Sequence, residues 1–181
     1  MKTTSNYKPV GGVESVALYP ADAVVTALFS SDGCEVELSG IPIEVPLLED
    51  YSQYEEKSHS ERGSTSVSHL LHLVAERGNA QAWMENDFLE QATFEGFVAV
   101  ISLCDGRHLL AGYSALLGNE QPLRLESLTS TSGKSLGDIP SVTLRLVAHD
   151  TDFSPIIHNI ETDIQYGKSK EKKHNLHLST K

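Results

Sequence analysis

Apolar and polar residues alternate with a period of two along much of this chain, the spacing of strands with one face buried and one in water. Cys34, Val36 and Leu38 alternate with Glu35 and Glu37, and Val142, Leu144, Leu146 and Ala148 alternate with Thr143 and Arg145. Leu123 and Leu125 stand against Arg124 and Glu126. Ile41, Ile43, Val45 and Leu47 share one side, with Pro42 and Pro46 opposite. That predicts an edge strand, because proline cannot donate to a ladder. Upstream, VESVALYPADAVVTALF holds two apolar stretches broken at Tyr19-Pro20-Ala21-Asp22, so the first strand ends at Pro20 or lies at an edge. Residues 66–76 fit a helix through Val67, Leu70, Leu71 and Val74, or a strand through Val67, His69, Leu71 and Leu73; the neighbouring strands favour the strand. One segment carries a helical pattern. In NAQAWMENDFLEQATFEG, Asn86 is placed to cap, Asp87 lies in the first turn and Gly96 stops the helix, while Phe88, Leu89, Ala92 and the further candidate Trp83 form its buried stripe.

Residues 97–114, FVAVISLCDGRHLLAGYS, lack a polar face altogether. With Asp105-Gly106 as a two-residue turn, Val98, Val100, Ser102, Leu109, Ala111 and Tyr113 share one face of a hairpin. Phe97, Ala99, Ile101, Leu103, His108, Leu110 and Gly112 take the other. Neither face belongs in water. The expectation is that one face packs in the chain's own core and the other meets a second polypeptide. Val98, Val100, Leu109, Ala111 and Tyr113 are therefore candidate subunit-interface residues. Tyr51 and Tyr54 join them from residues 49–66, a charged stretch without apolar period that reads as a long loop. Together the segments predict a mainly β fold, a β-sandwich or β-barrel of about seven or eight strands with one packed α-helix. Residues 1–9 read as a flexible arm, 10–155 as the β-rich domain and 156–181 as a basic, disordered tail.

Composition fits that organisation. The 181 residues suit one domain, and two cysteines, Cys34 and Cys104, suggest buried free thiols rather than a disulfide or metal site. No apolar run is long enough for a membrane helix, and the first residues lack a secretory signal, so synthesis and retention in a cytoplasm are expected. The net charge of −11 is uneven: residues 168–181 hold five lysines and one glutamate, +4, leaving −15 on residues 1–167. Such a body repels nucleic acid unless the tail binds it.

The motifs that hint at chemistry are incomplete. SGKS at 132–135 resembles a phosphate loop, but Leu128 stands where the first glycine is required. GYSALLG around Ser114 lacks the second glycine of a nucleophile elbow. His69 and His72 would diverge on a strand and share a metal only on a helix. AHDTD, with His149, Asp150 and Asp152, lacks the glycine and spacing of a calcium loop. An enzyme using Ser114, His108 or His149 remains an alternative, as does a binding module that meets one partner without polymerising. No catalytic, metal or cofactor residue is assigned.

The early Gly-Gly in YKPVGGVESVALYP, the polar YEEKSHSERGSTSVSHLL stretch, the helix followed by an Asp-Gly hairpin, and LTSTSGKSLGDIPSVTLRLVAHD together resemble tail-tube-like structural proteins of phages and prophages. The likeness spans residues 8–155 at the level of pattern. It implies a non-enzymatic protein whose β-sheet edges join copies into rings, commonly hexameric, stacked into a tube through loops and extensions. It further implies partners among copies of itself and other tail proteins, location in the virion tail after synthesis in a bacterial cytoplasm, and no membrane or cofactor. Glu35, Glu37 and Glu44 are then candidates for an acidic lumen through which DNA passes without specific binding.

Overall fold

The computed structural model describes residues 11–163. These residues form eleven strands in three sheets, a 3₁₀ turn and one α-helix. The strands are β1 (Val13–Pro20), β2 (Val24–Phe29), β3 (Cys34–Ser39), β4 (Ile43–Glu44), β5 (Gln53–Glu61), β6 (Ser64–Glu76), β7 (Phe97–Leu103), β8 (His108–Ala111), β9 (Arg124–Thr131), β10 (Ser141–Asp150) and β11 (Ile157–Asp163). The 3₁₀ turn Gln81–Met84 and helix α1 (Asn86–Phe94) stand between β6 and β7. The architecture is sandwich-like, with no closed barrel among the described residues.

The sheets run β4-β1-β7-β8, β5-β6-β10-β9 and β11-β3-β2. The first sheet is the middle layer. One of its faces meets the second sheet and the helix through Val16, Leu18, Phe97, Ala99, Ile101 and Ala111 against Leu71, Leu73, Leu144, Leu146, Trp83 and Phe88. The opposite face meets the third sheet through Val98, Val100 and Leu110 against Cys34, Val36, Leu38 and Ile157. A sheet packed on both faces reads as continuous apolar sequence, and that is the origin of the 97–114 pattern.

This corrects the central expectation from the sequence. Val98 is 0% exposed, Val100 8% and Ala111 0%, all covered by this chain alone. The hairpin offers no bare face to another subunit. Its register also differs by one residue: Ala99 pairs with Ala111, Val100 with Leu110 and Ile101 with Leu109. The Leu103 N–H donates to the Arg107 carbonyl at 2.9 Å, enclosing three residues rather than two. Gly106 takes φ +85°, the left-handed position a three-residue turn requires, and the Asp105 carboxylate accepts from the Arg107 N–H at 3.0 Å. The odd loop length moves Leu109 and Ala111 to the face of Phe97, Ala99 and Ile101, and Leu110 to that of Val98 and Val100.

Other elements follow the sequence more closely. β1 ends at Pro20, residues 64–76 are strand, and β3 buries Cys34, Val36 and Leu38 as its alternation predicts. The helix begins one residue after its cap: Glu85, not Asn86, holds the cap position, and no side chain bonds there. Gly96, at φ +81°, closes it as expected, its N–H donating to the Gln91 carbonyl at 2.8 Å. Trp83 lies on the preceding 3₁₀ turn, buried, with Nε1 unpartnered. The proline-flanked edge strand shrinks to Ile43–Glu44, since Pro42 and Pro46 leave little ladder between them.

Residues 49–66 depart most from expectation. Within them, Gln53–Glu61 form β5 and residues 64–66 begin β6, an antiparallel pair running from Gln53↔His72 to Glu61↔Ser64. Similarly, residues 157–163, assigned by pattern to the tail, form β11, parallel to β3. The N-terminal arm 1–9 and the lysine-rich stretch 164–181 lie outside the described residues.

Candidate functional site

The sequence-selected residues do not converge on one place. Val98 and Val100 pack in one core, Ala111 in the other, with Leu109 half-buried beside it. Tyr113 stacks on Phe29, ring centroids 6.2 Å apart and planes nearly parallel. Of the interface candidates, Tyr51 is the exposed one, 66% exposed on the turn before β5. Glu35 and Glu37 share the outer face of the third sheet, whereas Glu44 lies on β4 of the middle sheet, beside Tyr19. The three carboxylates therefore do not form one acidic wall. Burial, with Glu44 as a second cause, raises the Tyr19 phenol above its ordinary range.

Tyr54 belongs instead to a buried polar cluster that pattern reading missed. β5 and β6 pair so that Tyr54 and Glu56 face inward beside Leu71 and His69. The Tyr54 hydroxyl lies 2.6 Å from His69 Nδ1 and 2.6 Å from Ser154 Oγ. The Ser154 N–H donates to Glu56 Oε1 at 2.6 Å, and His69 Nε2 lies 3.1 Å from the Asp152 carbonyl. A carbonyl only accepts, so Nε2 carries a hydrogen. Nδ1 stands 3.1 Å from Glu56 Oε1; protonated, it donates there, and bare, it accepts from Tyr54. Burial alone would raise the Glu56 carboxyl, but the bonds from His69 and Ser154 outweigh it and hold the group below the usual range. Burial first, and Glu56 second, push the Tyr54 phenol far up.

Serine, histidine and carboxylate together invite comparison with a nucleophile relay, but the geometry is wrong. A relay places nucleophile and acid on opposite ring nitrogens. Here Ser154 Oγ, at 3.3 Å, and Glu56 both address Nδ1, and Nε2 is held by a main-chain carbonyl. The cluster is a latch that ties the β10–β11 connection onto β5 and β6. A tyrosine and a glutamate two residues apart in a polar stretch, Tyr54 and Glu56, were its only sequence signal.

The remaining candidates resolve locally. In the SGKS loop, the Asp138 carboxylate accepts the Lys134 and Ser135 N–H groups at 2.7 and 2.9 Å, taking the donors a phosphate would need. Ser114 Oγ accepts the Leu117 N–H at 3.1 Å, and His108 Nδ1 lies 3.0 Å from Ser102 Oγ. His69 and His72 point to opposite faces of β6, as a strand demands. Among the described residues, no group of three or more His, Cys, Asp or Glu side chains could hold a metal ion, and no helix is long and apolar enough to cross a membrane.

What remains on the surface is the third sheet. β11 and β2 are its two edge strands, and on β2 Val25 is 56% and Leu28 62% exposed. Across the outer face, Leu28, Glu35 and Asn159 align in one row and Thr26, Glu37 and Glu161 in the next, lining a shallow hollow of about 150 Å³. The chain matches no protein-family model, no curated protein and no solved structure.

Proposed function

We propose that this chain is a non-enzymatic structural protein that self-assembles through an open sheet edge, in the manner of a phage-tail tube component, with β2 as the pairing edge. The observation that carries the reading is how poorly β2 is protected. Natural edge strands are blunted by charge, proline, shortness or cover. β4 is two residues long beside prolines, β5 carries Lys57 and several glutamates, β9 carries Arg124 and Glu126, and the Pro155 carbonyl accepts from the Leu110 N–H of β8. β2, VVTALF, has no charge and no proline; its one guard is a bulge between Val24 and Thr26. Under this reading its partners are further copies and other tail proteins, DNA passes the acidic surface unbound, and the protein resides in the virion.

A ring needs β2 of one copy to meet a different edge of the next, whereas β2 on β2 closes at a dimer. Sedimentation and negative-stain imaging of the purified protein separate these outcomes. Rings or tubes are expected, and Leu28→Lys, a change at a solvent-facing position, is expected to abolish them without unfolding the chain. A species that stays monomeric at high concentration overturns self-assembly, and one that stops at a dimer overturns the tube.

A further inference from the structure

We propose that the lysine-rich stretch after β11 docks back, within the same chain, across the outer face of the β11-β3-β2 sheet and onto the β2 edge. β11 runs parallel to β3, so its end at Asp163 lies beside Ser39, next to the row of Thr26, Glu37 and Glu161. Eighteen residues follow it, IQYGKSKEKKHNLHLSTK. The order of chemistry along this stretch matches the order across the sheet. Lys168, Lys170, Lys172 and Lys173 come first, and the nearest surface holds Glu161, Glu37 and Glu35, none of which meets a cation within ion-pair distance among the described residues. Leu176 and Leu178 come next at the period of a strand, and across the sheet stands the exposed Leu28 of an edge with no strand beside it among the described residues.

The reach is sufficient. Two inter-strand gaps separate β11 from β2, roughly 10 Å. The five residues from Asp163 to Lys168 span up to about 17 Å, and a further eight reach Leu176. Lysines laid over the glutamates leave the leucines at the edge, where an added strand finds unpaired main-chain donors and acceptors. A covered edge is also the ordinary remedy for a strand as bare as β2.

Trypsin, which cuts after lysine, reads this directly on the full-length protein at low concentration. Cleavage after Lys168 to Lys173 is expected to be about fivefold or more slower than in a free peptide of residues 160–181, because proteolysis follows the open population. Added salt is expected to remove most of the protection, since exposed pairs are screened. Glu35→Gln/Glu37→Gln/Glu161→Gln is expected to speed cleavage, and so is Leu176→Ser/Leu178→Ser, which leaves the folded sheets untouched. Cleavage at the peptide's rate, or rates unmoved by either variant, overturns the proposal. Protection that grows with protein concentration overturns docking within one chain, because a second copy would then hold the segment. Only one consequence rests on the assembly reading: both variants should associate at lower concentration. Faster cleavage without association would refute assembly and leave the docking intact.

Discussion

At the residue scale, the third sheet depends on a close approach at Gly33. The Cys34 N–H donates to the Ile156 carbonyl at 2.8 Å, and His158 Nε2 lies 3.0 Å from the Asp32 carbonyl, which draws β11 against the turn before β3. A Cβ on Gly33 would collide with the Ile156 carbonyl oxygen and stand 2.6 Å from His158 Nε2. The obstacle is partly backbone and cannot swing aside. Gly33→Ala should therefore lower stability by about 1–3 kcal/mol, the usual cost of overpacking. A chemical-denaturation midpoint measures it. An unchanged midpoint would mean that β11 is held by its ladder alone.

At the level of elements, the strands with at least one apolar face were legible and the largely polar strands were not. β3 and β10 bury every second residue, so hydrophobic period gave their place and their inward sides. β5 escaped because it is an edge strand whose inward residues near the latch, Tyr54 and Glu56, are polar; period two in hydrophobicity is silent there. β11 escaped for a similar reason, since Ile157 is buried and residues 158–162 are exposed. The hairpin was legible as a hairpin, but its register turned on whether Gly106 closes a two- or a three-residue turn. The same sheet of β5, β6, β9 and β10 yields a prediction about acid. His72, on its outer face, is held below the ordinary histidine range by burial and, secondarily, by Arg145. Its stabilising contribution is present above the unfolded value near 6.5 and is lost as pH falls below it, because the unfolded chain takes up the proton first. The lowered Glu56 carboxyl contributes likewise above about 4.3 and loses its contribution as pH falls further. Unfolding midpoints should thus decline in two steps, with His72→Gln flattening the first and Glu56→Gln the second. A profile that is flat between pH 7 and 5 in the parent protein would contradict the first step.

At the scale of the whole molecule, the apolar hairpin that suggested a neighbour instead joins two cores in one chain. Trp83 lies in the core between the middle sheet and the helix side, and Cys34 in the core between the middle and third sheets. Each is a private reporter, since the chain has one tryptophan and the other thiol, Cys104, is exposed. Burial pushes the Cys34 thiol up to about 11, so little reactive thiolate exists while its core is closed. β7 and β8 carry Ala99, Ile101 and Ala111 into one core and Val98, Val100 and Leu110 into the other. Neither core can open without exposing the back of the other. Small domains with such shared structure unfold in one step. Trp83 fluorescence and alkylation of Cys34 in Cys104→Ser protein should therefore report the same denaturant midpoint. Alkylation that precedes the fluorescence change would show that the third sheet peels from the middle layer as a separate unit. That outcome would return the Val98 and Val100 face to solvent in a minor state, and with it the possibility that another copy covers it during assembly.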